Sequence, residues 1–206
     1  MRLNTPPPPR AMVGIKTVLW LLCLTPLARL VVLGLQDGLG ANPIEFITRS
    51  TGTWTLVGLL LTLSVTPLRQ LTGAGWLLRL RRLLGLFAFF YACLHFTTYI
   101  WLDQFFDPAS VIKDIVKRPF ITVGFTAFVL LIPLACTSRQ SMMKRLGRNW
   151  QRLHRLVYPI AALGVLHYLW LVKKDMTQPL IYAAILGVLL LARVPRFATA
   201  SRGQSR

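Results

Sequence analysis

The 206-residue chain is 54% hydrophobic and 15% charged, with a mean hydropathy of +0.56, a balance that excludes an ordinary soluble domain and points to a polytopic membrane protein. A net charge of +18 would suggest nucleic acid in a soluble chain. Here the charges sort by loop, and topology together with attraction to anionic lipid accounts for them.

The chain opens on a basic, proline-rich stretch (Arg2, Pro6 to Pro9, Arg10) expected to be an extended, solvated leader over residues 1–15. The apolar interval from Lys16 to Asp37 follows, interrupted only by Arg29. Its length, the internal Pro26 and Arg29, and the lack of a small-residue cleavage site argue for a first membrane helix and not a cleaved signal.

Five charge-free intervals come next: Arg49 to Arg69, Arg82 to Asp103, Arg118 to Arg139, Arg155 to Lys173 and Asp175 to Arg193. Each encloses 17 to 20 residues, enough to cross a hydrocarbon core of about 30 Å at about 1.5 Å per residue. The expected fold is therefore an all-α membrane protein, a six-transmembrane-helix bundle over residues 16–194, with a basic tail over 195–206.

Alternate loops differ in charge. The N-terminus, the second and fourth loops and the C-terminus together carry 17 of the 24 Lys and Arg, whereas all six acidic residues lie in the other three loops. By the positive-inside rule both termini are cytoplasmic. The longest external loop, Asp103 to Arg118, holds Phe105-Phe106 and an apolar-periodic stretch from Val111 to Val116, which fits an interfacial helix or a docking surface. Pro26, Pro133 and Pro159 are each expected to kink a helix and free a carbonyl. No internal sequence repeat is evident. Cys23, Cys93 and Cys136 all fall within spans, with no disulfide, zinc or covalent-haem spacing.

All three histidines lie in or at the edge of these spans. His95 stands 13 residues beyond Arg82 and His167 stands 12 beyond Arg155, about 20 Å and about 18 Å up two parallel helices. An ionisable side chain at that depth is a functional-site candidate, and neutral imidazole is the commonest protein metal ligand. Without a nearby Cys, Asp or Glu, two imidazoles at one level suit haem iron, whose porphyrin supplies four nitrogens and leaves two axial positions for protein. Tyr91 and Tyr99 flank His95 on one helical face, as a porphyrin lining or as ordinary packing. Arg29, also about 20 Å up, is a candidate partner for a haem propionate or a snorkelling side chain. His154, at the cytoplasmic edge, is a candidate for a second haem, for a quinol or flavin site, or for a helix cap.

The six-helix pattern, the segment RRLLGLFAFFYACLHFTTYIWLDQFF around His95 and the segment NWQRLHRLVYPIAALGVLHYLWLVKKD with His154 and His167 resemble the MsrQ (YedZ) family within the ferric reductase-like transmembrane superfamily. The resemblance runs from about Lys16 to Val194. It implies a bacterial inner-membrane electron conduit carrying haem b, with FMN as a further cofactor, fed by the quinone pool or a cytoplasmic flavin reductase. It also implies a partner, the periplasmic molybdopterin-containing reductase MsrP, which reduces methionine sulfoxide in oxidised envelope proteins. Two-haem superfamily members carry two histidines on each of two helices, whereas here Arg82 stands where an inner partner for His154 would be.

No G-x-G-x-x-G is present, so the chain has no nicotinamide-binding signature of its own. Two other readings remain at this point. One is a stand-alone ferric or quinone oxidoreductase. The other is a histidine-relay proton channel or transporter, disfavoured because every Asp and Glu lies outside the spans.

Overall fold

The computed structural model describes residues 5–193, and among these the regular structure is helical throughout. The basic tail expected over 195–206 lies outside the described residues. The leader expected over 1–15 is shorter: residues 1–4 lie outside the described residues, Pro8 has the polyproline angles φ −56° and ψ 155°, and Pro9 already opens α1 (Pro9–Leu35). Proline suits this first helical position, where an N–H would have no partner in the helix.

Helix α2 (Pro43–Thr72) is started by Asn42, whose side chain accepts from the Glu45 N–H, and stopped by Gly73 in the left-handed region at φ 71°. Helix α3 (Leu78–Thr98) continues into a π-helical turn over Tyr99–Asp103. Asp107 then caps α4 (Pro108–Lys117), and Pro119 opens α5 (Pro119–Cys136). Two short helices follow, α6 (Gln140–Leu146) and α7 (Arg148–His154), before α8 (Val157–Leu171) and α9 (Thr177–Leu191).

Four of these are long and apolar enough to cross a membrane: α1, α2, α3 with the segments joined to it, and α5. The last two charge-free intervals hold α8 and α9, of 15 residues each, or about 22 Å at the α-helical rise. Proline explains the shortness of α8. Pro159 has no N–H for the Arg155 carbonyl, and the chain there tightens to three-residue bonds, Leu156 N–H to Leu153 and Tyr158 N–H to Arg155. Arg155 and Leu156 keep right-handed helical angles, so α7 and α8 form one interrupted rod.

The core lies where α2, α3, α5 and α8 meet. Leu56, Leu59, Leu60 and Leu63 of α2 pack with Ala88 and Ala92 of α3, Leu131 and Leu134 of α5, and Ile160, Ala161 and Val165 of α8. The hairpins α2–α3 and α5–α8 are the most extensive pairings, and α2 with α8 and α3 with α5 close the ring. Small residues permit close approach where lipid removes the usual hydrophobic drive between helices. At Gly58 an added Cβ would lie 3.0 Å from the Cα of Ala88.

Helix α1 leans on the outside of this ring, and its kink is where it is fastened. Pro26 leaves the Leu22 carbonyl without its helical donor, and the Thr25 hydroxyl occupies it at 2.7 Å. One residue on, the Tyr91 hydroxyl from α3 donates to the Cys23 carbonyl at 2.7 Å and accepts from the Leu27 N–H at 3.2 Å. A single phenol thereby bridges a backbone pair that the kink has opened.

Candidate metal centre between two helix hairpins

His95 sits near the C-terminal end of α3 and His167 on α8, and the packing of the two hairpins brings their rings to a centroid separation of 6.2 Å, with planes 73° apart. Each imidazole is oriented by the backbone of the helix beside it. His95 Nδ1 lies 2.9 Å from the Thr48 carbonyl of α2, and His167 Nδ1 lies 2.7 Å from the Phe120 carbonyl of α5. A carbonyl only accepts, so each Nδ1 carries the proton. In a neutral ring each Nε2 then keeps a free lone pair.

The two halves of this arrangement repeat. Both hydrogen bonds span 47 residues of sequence. In each half the glycine against the ring, Gly52 or Gly124, stands one turn after the accepting carbonyl. The register that carries His95 to His167 carries Thr48 to Phe120, Gly52 to Gly124 and Arg82 to His154. This is a correspondence of hydrogen-bond partners and not an evident sequence repeat: of these pairs only Gly52–Gly124 and His95–His167 are identical.

A cavity of about 550 Å³ runs from the loop end at Asn42 and Asp103 to the two rings and on to Leu131 and Ile160, within the range of about 300–1,000 Å³ typical of cofactor sites. Its inner part is apolar, with Leu56, Leu59, Ala127 and a cluster of Phe96, Phe125 and Phe128 in which Phe96 and Phe128 stack at 4.6 Å. Its mouth is polar, with Asn42, Glu45, Arg49, Asp103 and Arg118. Arg49 pairs with Glu45 at 2.6 Å and Arg118 with Asp114 at 3.3 Å.

The donor set discriminates among metals. Among the described residues no group of three or more His, Cys, Asp or Glu converges as a metal site, so a zinc or di-iron centre lacks its ligands. Two imidazoles suffice for a metal that brings its own equatorial nitrogens. With an imidazole nitrogen about 1.1 Å from its ring centre and a metal–nitrogen bond of about 2.0–2.1 Å, two rings in line across one ion have centroids a little over 6 Å apart. The spacing here matches that, and the residues fit a bis-imidazole haem.

The other expected site residues lie elsewhere. Arg29 places its guanidinium 6.0 Å over the Phe46 ring and does not line the cavity. Tyr99 lines it, whereas Tyr91 is spent on α1. His154 stacks on Trp150 with centroids 4.0 Å apart, its Nδ1 3.2 Å from the Trp150 carbonyl. Burial holds its pKa below the usual histidine value and the Arg81 charge adds to that, against an opposing hydrogen bond to Trp150. Sequence reasoning missed Thr48, Gly52, Phe120 and Gly124, and it used Arg49 and Arg118 only as span boundaries. The shared offset of the glycines and histidines was the available signal.

A family model described as ferric reductase like transmembrane component matches residues 50–165. Among named relatives, the protein-methionine-sulfoxide reductase heme-binding subunit MsrQ of Herminiimonas arsenicoxydans is 62% identical over 191 residues, 91% of this chain and 88% of that protein. The proteins of the same name from Ralstonia nicotianae and Bordetella pertussis are 59% and 55% identical, covering 91% and 90% of this chain and 88% and 91% of their own lengths. No solved structure matches. With this similarity along nine-tenths of its length, the chain belongs to the ferric reductase-like transmembrane family and, within it, to the MsrQ subunits.

Proposed function

We propose that this chain is the haem b-carrying membrane subunit of a methionine sulfoxide reductase system, in which His95 and His167 would hold one haem in the outer half of an inner-membrane, six-span bundle. The facing of two imidazoles, each with its Nδ1 proton held by a backbone carbonyl, carries this reading. Haem iron bound there supplies one-electron transfer. The protein's part is to hold and tune it.

The residues divide that work. Thr48 and Phe120 accept from the two Nδ1–H groups, which fixes the tautomer and makes each Nε2 a stronger donor. Leu56, Leu59, Leu131 and Ile160 exclude water. Arg49 and Arg118, at the mouth, are cations for the propionates; Arg29 on α1 is the alternative anchor. His154, with the Arg81 charge near it, marks the cytoplasmic end where electrons enter, at a second haem, a quinol or FMN.

Electrons come from the quinone pool or a cytoplasmic flavin reductase and leave to the periplasmic molybdopterin-containing partner MsrP. Reduction of a sulfoxide to a thioether consumes two electrons and two protons and releases water. The chain therefore hands over electrons singly, twice per sulfoxide. The sulfoxide chemistry belongs to the partner.

The absorption spectrum of the detergent-purified protein tests this. A low-spin b-type Soret band that shifts on dithionite and is reoxidised by MsrP plus methionine sulfoxide is the expected result. Folded, colourless protein would contradict haem binding. Reoxidation by ferric chelates or a quinone but not by MsrP would favour a stand-alone oxidoreductase.

A further inference from the structure

Gly52 and Gly124 are set apart from most of the described glycines by what they face. A Cβ at Gly52 would lie 3.0 Å from His95 Cε1 and 3.1 Å from its Nδ1; one at Gly124 would lie 2.7 Å from His167 Nδ1 and 2.9 Å from its Cε1. Each imidazole thus lies directly on the backbone of the neighbouring helix, at a spot only glycine leaves open, and from there reaches the carbonyl one turn earlier. The same three-part arrangement occurs twice, on α2 against α3 and on α5 against α8.

We infer that Gly52 and Gly124 are positioning residues for the two imidazole ligands, setting ring orientation and the Nδ1–H bond and so the electron-donor strength of Nε2. This rests on the assignment of His95 and His167 as haem ligands. A methyl group at either position pushes the ring off its carbonyl. A ligand that loses its Nδ1–H acceptor donates less charge to the metal, which favours the reduced state, and outer-shell losses of this kind cost roughly 10- to 100-fold in metal affinity. The effect is larger at Gly124, where the added atom would meet the hydrogen-bonding nitrogen itself.

Two other glycines separate positioning from packing. Gly58 is as crowded as Gly52, but by Ala88 and not by a histidine, and Gly187 has nothing within 4 Å.

The experiment compares Gly52→Ala, Gly124→Ala, Gly58→Ala and Gly187→Ala in the full chain. It measures haem retention, midpoint potential and, in protein stripped of haem, the nitrogen-15 NMR signals of labelled histidine. Expected are roughly 10- to 100-fold weaker haem retention, a more positive midpoint potential and a changed Nδ1–H signal for Gly52→Ala and Gly124→Ala. Gly187→Ala should match the native protein. Gly58→Ala should lower the folded yield and leave the haem of the folded fraction at its native potential. Native potentials and histidine signals in both His-facing variants would overturn the inference, as would the same shifts in Gly58→Ala. Where Gly124→Ala does not fold, Gly52→Ala decides by the same criteria. Retention of native haem by either His95→Ala or His167→Ala would instead strike the ligand assignment beneath it.

Discussion

The rings of His95 and His167 meet edge to face at 6.2 Å, one from each of two helix hairpins joined in a four-helix ring. Their planes stand 73° apart because each is fixed by a different helix, α2 for one and α5 for the other. Crossed imidazole planes give ferric low-spin haem a highly anisotropic electron paramagnetic resonance signal, whereas near-parallel planes give a rhombic one. The anisotropic form is expected for a haem held by this pair.

At the mouth of the cavity, Arg49→Ala and Arg118→Ala are each expected to weaken haem retention. The Arg49 and Arg118 side chains are 60% and 54% exposed, so each loss should be about 0.2–1 kcal/mol, the scale of solvent-screened ion pairs. Haem titration of the apoprotein measures this. A larger loss in Arg29→Ala than in either would move the propionate contact to α1.

Tyr91→Phe removes the hydroxyl that bridges the Cys23 carbonyl and the Leu27 N–H at the α1 kink. Two half-buried backbone groups lose their partner, at a cost of about 0.5–1.5 kcal/mol. Thermal unfolding in detergent should register it as lower stability, with the haem spectrum of the folded protein unchanged because Tyr91 does not line the cavity.

The loop helix α4 depends on Asp107, whose carboxylate accepts from Ala109 N–H at 3.0 Å and from the Ser110 hydroxyl at 2.6 Å. The Ser110 bond first, then the Ala109 bond, holds its pKa below the usual 3.8. A depressed carboxylate contributes its stability above its unfolded pKa and loses it as pH falls through the folded value. Amide protection at the first turn of α4, taken relative to the intrinsic exchange rate at each pH, should therefore fall on acidification below about pH 3.8. Asp107→Ala should show the lower protection already at neutral pH.

Helix placement was readable in the sequence because the lipid forbids charge. Each charge-free interval contains the apolar body of a helix, and the fixed rise per residue put His95 and His167 on one level before any packing was known. Lengths were less readable. Pro159 shortens α8 through its missing N–H, and the interval between charges takes no notice of it. The supporting shell was hidden for a different reason. Thr48 and Phe120 act through main-chain carbonyls, which carry no residue signature, and Gly52 and Gly124 act by having no side chain. Arg49 and Arg118 look like ordinary span ends until the cavity between them is seen.

Haem stoichiometry in histidine variants bears most directly on the central claim. His95→Ala and His167→Ala should each abolish the haem of the outer site, seen as loss of its low-spin Soret and α bands and of one haem per polypeptide relative to the native protein. His154→Ala should leave that outer haem and its potential in place. An unchanged haem count and spectrum in His95→Ala or His167→Ala would contradict the bis-imidazole site.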